Sequence, residues 1–239
     1  INVSAYEKEN ITARFGLKDQ DKLAAIHNGV SIHFKRSAHK ERITTVKEKY
    51  QLPKRYMLHF GSADPRKNTK RTLAAFGRYL NESCEEFKLV LMGYDEKQLQ
   101  ADLEDLNMQD LARHITLPGY VSDKDLPMLY QLAKVFLFPS LREGFGIPVI
   151  EAMACGTPVI TSNTSSMPEI AGQAAHLIDP YCVDEILNGI TAVLSNPNYR
   201  GMLVAEGLKQ AEGFSWENMA NRVLETYISI FNQTQKTRS

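Results

Sequence analysis

Two carboxylates eight residues apart, Glu143 and Glu151, bracket the glycine-containing segment Gly144-Phe145-Gly146-Ile147. Carboxylates accept hydrogen bonds from paired hydroxyls, and the vicinal hydroxyls of a ribose or hexose are donors of that kind. Gly144 and Gly146 would let backbone N–H groups come close to a ligand. A second candidate lies upstream, in Gly61-Ser62-Ala-Asp64-Pro-Arg66-Lys67-Asn68, where two adjacent cations stand at what reads as a helix start. Helix N-terminal N–H groups and the helix dipole favour an anion there, and full positive charges add to that preference, so the segment suits phosphate. Each feature also has a plain structural explanation. The basic segment fits a solvated turn with Asn68 or Thr69 as the helix cap, Glu143 fits a surface loop, and Glu151 fits a first-turn carboxylate favoured by the helix dipole. Against this stands the setting of Glu151 between Val149, Ile150, Ala152 and Met153, in a helix too short and apolar for the surface. A charge there requires a partner.

The elements that must position these residues follow a regular pattern. From Tyr56 onward, short apolar runs alternate with amphipathic segments. The runs are Tyr56 to Phe60, Phe87 to Met92, His114 to Leu117, Val135 to Phe138, Val159-Ile160 and Ala175 to Ile178. Between them, Leu73, Phe76 and Leu80, then Leu99, Leu103 and Leu106, then Leu126, Leu129, Tyr130 and Ala133 fall at helical spacing. This alternation predicts βαβ units and an α/β fold with a parallel sheet flanked by helices. The glycine segment follows Val135 to Phe138 at a strand's carboxyl end, where open α/β sheets hold their ligands. Pro148 suits the first position of the next helix and Gly156 its left-handed stop.

Outside this region the chain is simpler. Ser4 and Glu7 have capping-box spacing for a helix that stops at Gly16, Leu23 to Ile26 is short and apolar, and Asn28-Gly29 signals a turn. Residues 31–55 read as a polar connector with one helix from Glu41 to Tyr50. After Pro180, helices are predicted over Val183 to Leu194, Tyr199 to Ala211 and Trp216 to Phe231, the last capped by Ser215, with Asn232 to Ser239 a frayed tail.

Composition excludes several classes. Twenty-eight basic residues balance twenty-eight acidic ones, which argues against nucleic acid as a partner. Cys84, Cys155 and Cys182 are scattered without a C-x-x-C pair, so neither a disulfide framework nor a zinc site is expected, and a reducing, cytoplasmic setting fits. No apolar run approaches the ~20 residues of a membrane span, and the start, without Met, looks like a cut in a longer chain. His59, His114 and His176 fall in expected strands and His27, His33 and His39 in the connector region, so each is expected to be structural or solvated.

The stretch from Glu143 to Glu151, followed by Ala-Met-Ala-Cys-Gly-Thr-Pro-Val, resembles the E-x7-E signature of retaining GT-B glycosyltransferases of family 4. Gly61 to Asn68 resembles that family's G-x-x-x-P-R-K-N diphosphate loop, and Leu117-Pro-Gly-Tyr120-Val121 with Ser122 to Leu126 its nucleoside-contacting turn. Met167-Pro-Glu169 resembles its loop before the penultimate strand, and Phe214-Ser-Trp216 the start of its closing helix. Val3-Ser4 and Asn28-Gly-Val30 match the "VS" and "NGV" of its inter-domain region, so the resemblance covers essentially the whole chain.

The resemblance implies two Rossmann-like domains around a cleft, of which this chain matches the second. Residues 1–30 would be a remnant of the N-terminal acceptor domain and the crossover, 31–55 the connector, 56–214 the nucleotide-sugar-binding domain and 215–239 the closing helix and tail. An isolated donor half would bind the donor and transfer poorly or not at all. Glu151 would accept from the ribose hydroxyls and Glu143 would contact the donor sugar. The N–H groups of Phe145, Gly146 and Ile147 would face the diphosphate and sugar, Lys67 and Arg66 would neutralise the leaving diphosphate, and Tyr120 and Val121 would flank the base. Many members place an arginine after the first strand's glycine where this chain has Ser62, which puts the first basic contact in doubt.

No cofactor or metal is implied, since the nucleotide-sugar is the substrate. The Pro-Arg-Lys-Asn form of the loop resembles mannosyl- and rhamnosyltransferases of surface polysaccharide assembly, which tilts the donor towards GDP-mannose over UDP-sugars. The expected acceptor is a glycan or lipid-linked sugar reached through the missing domain, with the full-length protein at the inner face of the membrane. The competing expectations are a non-catalytic nucleotide-sugar-binding subunit and, less well supported by the paired glutamates, an epimerase.

Overall fold

The computed structural model describes residues 1–17, 23–37, 40–83 and 85–236, so His39 and Cys84 lie outside the described residues. The apolar runs form six strands: β1 (Tyr56–Phe60), β2 (Lys88–Met92), β3 (Ile115–Thr116), β4 (Val135–Phe138), β5 (Val159–Ser162) and β6 (His176–Ile178). All pair in parallel, in the order β3-β2-β1-β4-β5-β6. Every residue of β4 and β5 is buried, because helices cover both faces of the sheet; a run buried on both sides is continuously apolar rather than alternating. β3 stops at two residues, since Pro118 shortly after it has no N–H to extend a ladder.

The pleat sends alternate residues into two cores. Tyr56, Leu58, Phe136 and Phe138 pack with α5 (Leu126–Leu132), α6 (Ile147–Ala154) and α7 (Met167–Ala171). Met57, Leu89, Leu91 and Leu137 pack with α3 (Thr69–Glu82), α4 (Glu96–Asp105) and α8 (Val183–Ser195) on the other face. The helix after β1 therefore lies on one face and the helix after β4 on the other. The remaining helices are α1 (Ala5–Phe15), α2 (Lys40–Lys49), α9 (Pro197–Glu212) and α10 (Trp216–Lys236). Among the described residues no helix is long and apolar enough to cross a membrane.

Four local expectations change. Asn232 was expected to begin a frayed tail, but α10 continues to Lys236, because Asn232-Gln-Thr-Gln-Lys contains no Gly or Pro to stop it; residues 237–239 lie outside the described residues. Met167-Pro-Glu169, expected as a loop before the penultimate strand, opens α7 with Pro168 in its first turn, and the strand that follows is the last. Asn28-Gly29, expected as a turn, is a crossing: Val30 N–H donates to Phe214 O at 2.9 Å. A Cβ on Gly29 would lie 2.2 Å from the backbone nitrogen of Trp216, which only glycine avoids.

Asn68 is the fourth. It precedes α3 but its side chain makes no cap hydrogen bond. Its amide instead donates to Pro139 O at 2.9 Å and Pro180 O at 2.7 Å, while its Oδ1 accepts from Arg71. One buried side chain thus ties together the loops after β1, β4 and β6, from a left-handed backbone at φ 59° that asparagine tolerates better than most residues. Asn68→Ala leaves two carbonyls unpaired and places Cβ strain at that φ, so urea unfolding is expected to show a loss of about 2–4 kcal/mol. Asn68→Gly, which relieves the φ but not the carbonyls, should lose less; equal losses would show that the backbone conformation is not part of the effect.

Candidate functional site

The strand order reverses between β1 and β4, and the loops leaving these two strands face each other across that point. They are joined directly, Leu141 N–H donating to Arg66 O at 2.8 Å. Lys67 Nζ lies 2.7 Å from Glu143 Oε1 and 5.0 Å from the ring centroid of the buried Phe138. Both side chains are largely shielded, at 29% and 18% exposure, so the pair sits at the mouth of the crevice rather than in bulk water. The sequence places these two residues in separate motifs, 76 positions apart, and the structure brings them together.

The other basic residue behaves differently. Arg66 turns to Asp64, with Nε 2.8 Å and Nη2 2.5 Å from Oδ2, and its side chain is well exposed while that of Asp64 is half-buried. The guanidinium holds the Asp64 carboxyl below its ordinary value. Ser62 accepts from Asp64 N–H at 3.1 Å, and the two line a cavity of about 460 Å³ with Asn68, Thr69 and Tyr94 on the β2 side of the loop. Ser62 and Arg66 therefore shape the loop, while Lys67 is the cation directed at Glu143.

In the glycine segment, Glu143 N–H donates to Ser165 Oγ at 3.2 Å, and Phe145 is buried against His27 and Phe214, with ring centroids 5.7 and 5.9 Å away. Gly146 has φ 111° and directly precedes α6; a Cβ there would fall 2.3 Å from Met167 Cε. Gly144 and Ile147 complete the turn, Ile147 as the first residue of the helix.

Glu151 lies on α6 and does find a partner: Tyr130 Oη donates to its Oε2 at 2.9 Å. Burial pushes the Glu151 carboxyl up to about 7, the Tyr130 bond works against that, and the nearby Asp123 charge adds to it. Burial likewise pushes the neighbouring Cys155 thiol up to about 12. Tyr120 and Val121 separate, Tyr120 standing 87% exposed while Val121 joins the core. Asp125 accepts from Lys49 Nζ at 2.7 Å and from Tyr50 Oη at 2.8 Å.

Several residues beside the site were given no role there by the sequence. His27, expected to be structural or solvated, places Nε2 2.6 Å from Glu169 Oε1 and packs under Phe145. The same carboxylate accepts from Ala5 and Tyr6 N–H at 2.8 and 3.2 Å, and Ser4 Oγ donates to Gly144 O at 2.7 Å. Of these, Ser4 carried a capping-box signal and a match to the inter-domain region, and Glu169 fell in the Met167-Pro-Glu169 motif, but neither signal pointed to the Gly144 loop.

Two buried groups make opposite contributions to stability against pH. His59 is fully buried between Leu137 O at 2.8 Å and Thr69 Oγ1 at 3.3 Å, and burial pushes it down to about 4. The unfolded chain protonates this histidine near pH 6.5 and the folded chain does not, so its stabilisation, full above 6.5, is lost as pH falls towards 4. Glu151 has the reverse sign: the folded chain takes up its proton near 7 and the unfolded chain only near 4.5, so stability is gained as pH falls through that window. The two slopes offset each other between about pH 4.5 and 6.5. Glu151→Gln is expected to be more stable than the parent at pH 8 by on the order of 1–3 kcal/mol, an advantage that shrinks towards pH 5. Chemical denaturation at both pH values tests this, and a pH-independent difference would contradict the buried-carboxylate account.

Comparison with known proteins agrees with this geometry. The family described as glycosyl transferases group 1 matches residues 42–210. An O-antigen chain mannosyltransferase B of Escherichia coli is 39% identical over 186 residues, covering 76% of this chain and 48% of that protein. A serotype-specific mannosyltransferase, WbdA, also of Escherichia coli, is 34% identical over 199 residues, covering 82% of this chain and 24% of that protein. The chain thus spans about half the length of the first relative and a quarter of the second. Among solved structures, HepE of Anabaena in complex with UDP-glucose superposes with a TM-score of 0.81 at 17% identity, over 95% of this chain and 63% of that one, which establishes a shared fold. With its match running through most of the chain and its sheet, the protein belongs to the glycosyl transferases group 1 family.

Proposed function

We propose that this chain is the donor-binding half of a retaining hexosyltransferase that uses a nucleotide diphosphate-sugar, with GDP-mannose the favoured donor. In the longer protein the sugar passes to a glycan or lipid-linked acceptor of surface polysaccharide or O-antigen synthesis. The observation that carries this reading is the shielded Lys67–Glu143 pair at the crevice between the β1 and β4 loops. It sets an ammonium group for a departing diphosphate beside a carboxylate for sugar hydroxyls, at the place where open α/β sheets bind ligands. The mannosyltransferase names of the two relatives support the choice of sugar.

The chemistry follows from charge. As the glycosidic bond to phosphate breaks, negative charge grows on the diphosphate and the sugar becomes oxocarbenium-like. Lys67 and the N–H groups of Phe145, Gly146 and Ile147 stabilise the first, and preorganised donors in a shielded site do so without reorganising at the moment of reaction. Glu143 accepts from the sugar hydroxyls and favours the developing positive charge. Glu151, ionised on binding, accepts from the ribose hydroxyls, and Tyr120, exposed where Val121 is buried in the core, flanks the base. Arg66 adds to the diphosphate contact only by leaving Asp64. Before any donor binds, Lys67 is neutralised by Glu143, so the diphosphate must take the lysine from the carboxylate and thereby frees that carboxylate for the sugar.

A thermal-shift panel of GDP, UDP, ADP and dTDP with their sugars tests the reading. A ligand at a hundred times its Kd adds about 2.7 kcal/mol, and GDP-mannose is expected to give the largest shift. No shift from any of the four nucleotides would overturn the donor-site assignment. Lys67→Met is expected to weaken diphosphate binding about tenfold or more. Glu143→Gln is expected to bind GDP several-fold more tightly than the parent, because its lysine is already free, and to distinguish GDP-mannose from GDP less well. Calorimetric titration of both variants gives the comparison, and a Glu143→Gln protein that binds GDP more weakly would contradict the competition.

A further inference from the structure

We propose that Ser166, with Ser4, is a positioning residue of the donor loop: their hydroxyls fix three consecutive carbonyls so that three consecutive N–H groups face the bound anion. Ser166 Oγ lies 2.9 Å from Glu143 O and 2.9 Å from Phe145 O, and Ser4 Oγ donates to Gly144 O at 2.7 Å. A hydroxyl carries one proton, so the Ser166 proton bridges two converging carbonyls instead of serving one. In a planar trans peptide the N–H points opposite to the C=O. Fixing the oxygens of residues 143, 144 and 145 therefore fixes the N–H directions of Gly144, Phe145 and Gly146.

Among the described residues none of these three N–H groups donates to an acceptor, whereas the preceding one, of Glu143, is taken by Ser165. Backbone donors in a folded chain are seldom left unpaired, and successive N–H groups in a tight loop form a concavity suited to an anion. Both serines are held rigidly enough to do this. Ser166 is fully buried at the head of α7, next to Ser165 with its left-handed φ of 56°. Ser4 is fully buried too, and also accepts from Glu7 N–H as the cap of α1, whose next two N–H groups are held by Glu169. The loop is thus clamped from two sides, by the β5–α7 turn and by the start of α1, and neither serine touches the ligand itself.

The proposal rests on the donor-site reading above, and amide spectra of the 15N-labelled chain separate the two. In the parent, inorganic pyrophosphate and GDP-mannose should each shift the amide signals of Gly144, Phe145 and Gly146. Ser166→Ala should move those three signals in the free protein, leave the sheet amides in place, and lower pyrophosphate affinity about tenfold, with guanosine affinity unchanged. Ser4→Ala, which releases one carbonyl, should perturb chiefly Phe145 and cost less affinity, and Ser4→Thr, which keeps the hydroxyl, should restore it; this pair carries the test if Ser166→Ala does not fold. Parent-like pyrophosphate affinity in both alanine variants would overturn the positioning role. So would a parent protein that binds GDP-mannose without moving the three amides, a result that keeps donor binding but removes the N–H contacts of Phe145 and Gly146 from it. A parent that binds neither probe and none of the four nucleotides removes both.

Discussion

β1 and β4 are hydrogen-bonded neighbours, yet the chain leaves their carboxyl ends in opposite directions, to α3 on one face of the sheet and to α6 on the other. A gap between the two departing loops is the unavoidable result, and the Lys67–Glu143 pair lies along it. The gap would be useless if the loops were free to drift. Asn68, reaching Pro139 and Pro180, and the Arg66 carbonyl, accepting from Leu141, keep its walls at a fixed separation. The strand order creates the site, and a few main-chain contacts set its width.

Within the gap, charge is kept close to the point of instability. Glu151 is buried enough for its carboxyl to hover near neutrality, relieved by one tyrosine hydroxyl where an ionised carboxylate can accept several bonds. Lys67 and Glu143 neutralise each other across the crevice at moderate burial. A site assembled this way is less stable than an apolar repacking of the same volume would be, and it gains the capacity to exchange internal partners for those of a ligand.

The sheet was legible in the sequence because period and burial coincide: runs such as Val135 to Phe138 are apolar at every position only when both faces are covered. The strand-end placement of the glycine and basic loops followed from the same alternation, and the resemblance of their motifs supplied the candidate roles. What the sequence did not show was pairing across distance. Nothing local to Lys67 identifies Glu143 as its partner, and Tyr130 falls on a helical stripe where an aromatic ring reads as core, its hydroxyl unnoticed. Asn68 and Gly29 carried local signals, a cap and a turn, but long-range contacts overrode both. His27 was left open as structural or solvated, since nothing local to it indicates the ring of Phe145 against which the fold packs it.

The crossing at Gly29 also bears on how the molecule assembles. Val30 bridges Ser215, and Arg222 reaches Ala25 across a separation of 197 residues, so the first segment of the chain is tied to the chain's far end as well as to Gly144 and Glu169. Closing so long a loop carries an entropic penalty that local contacts do not, and such contacts form only once the intervening chain has collapsed. Contact order therefore favours the six-stranded sheet, whose neighbours are mostly joined by single helices, as forming earlier than the junction of α1, the crossover and α10. The hydrogen bond from Ser4 to the Gly144 carbonyl belongs to this long-range set, so the geometry of that loop depends on a chain segment 140 residues away.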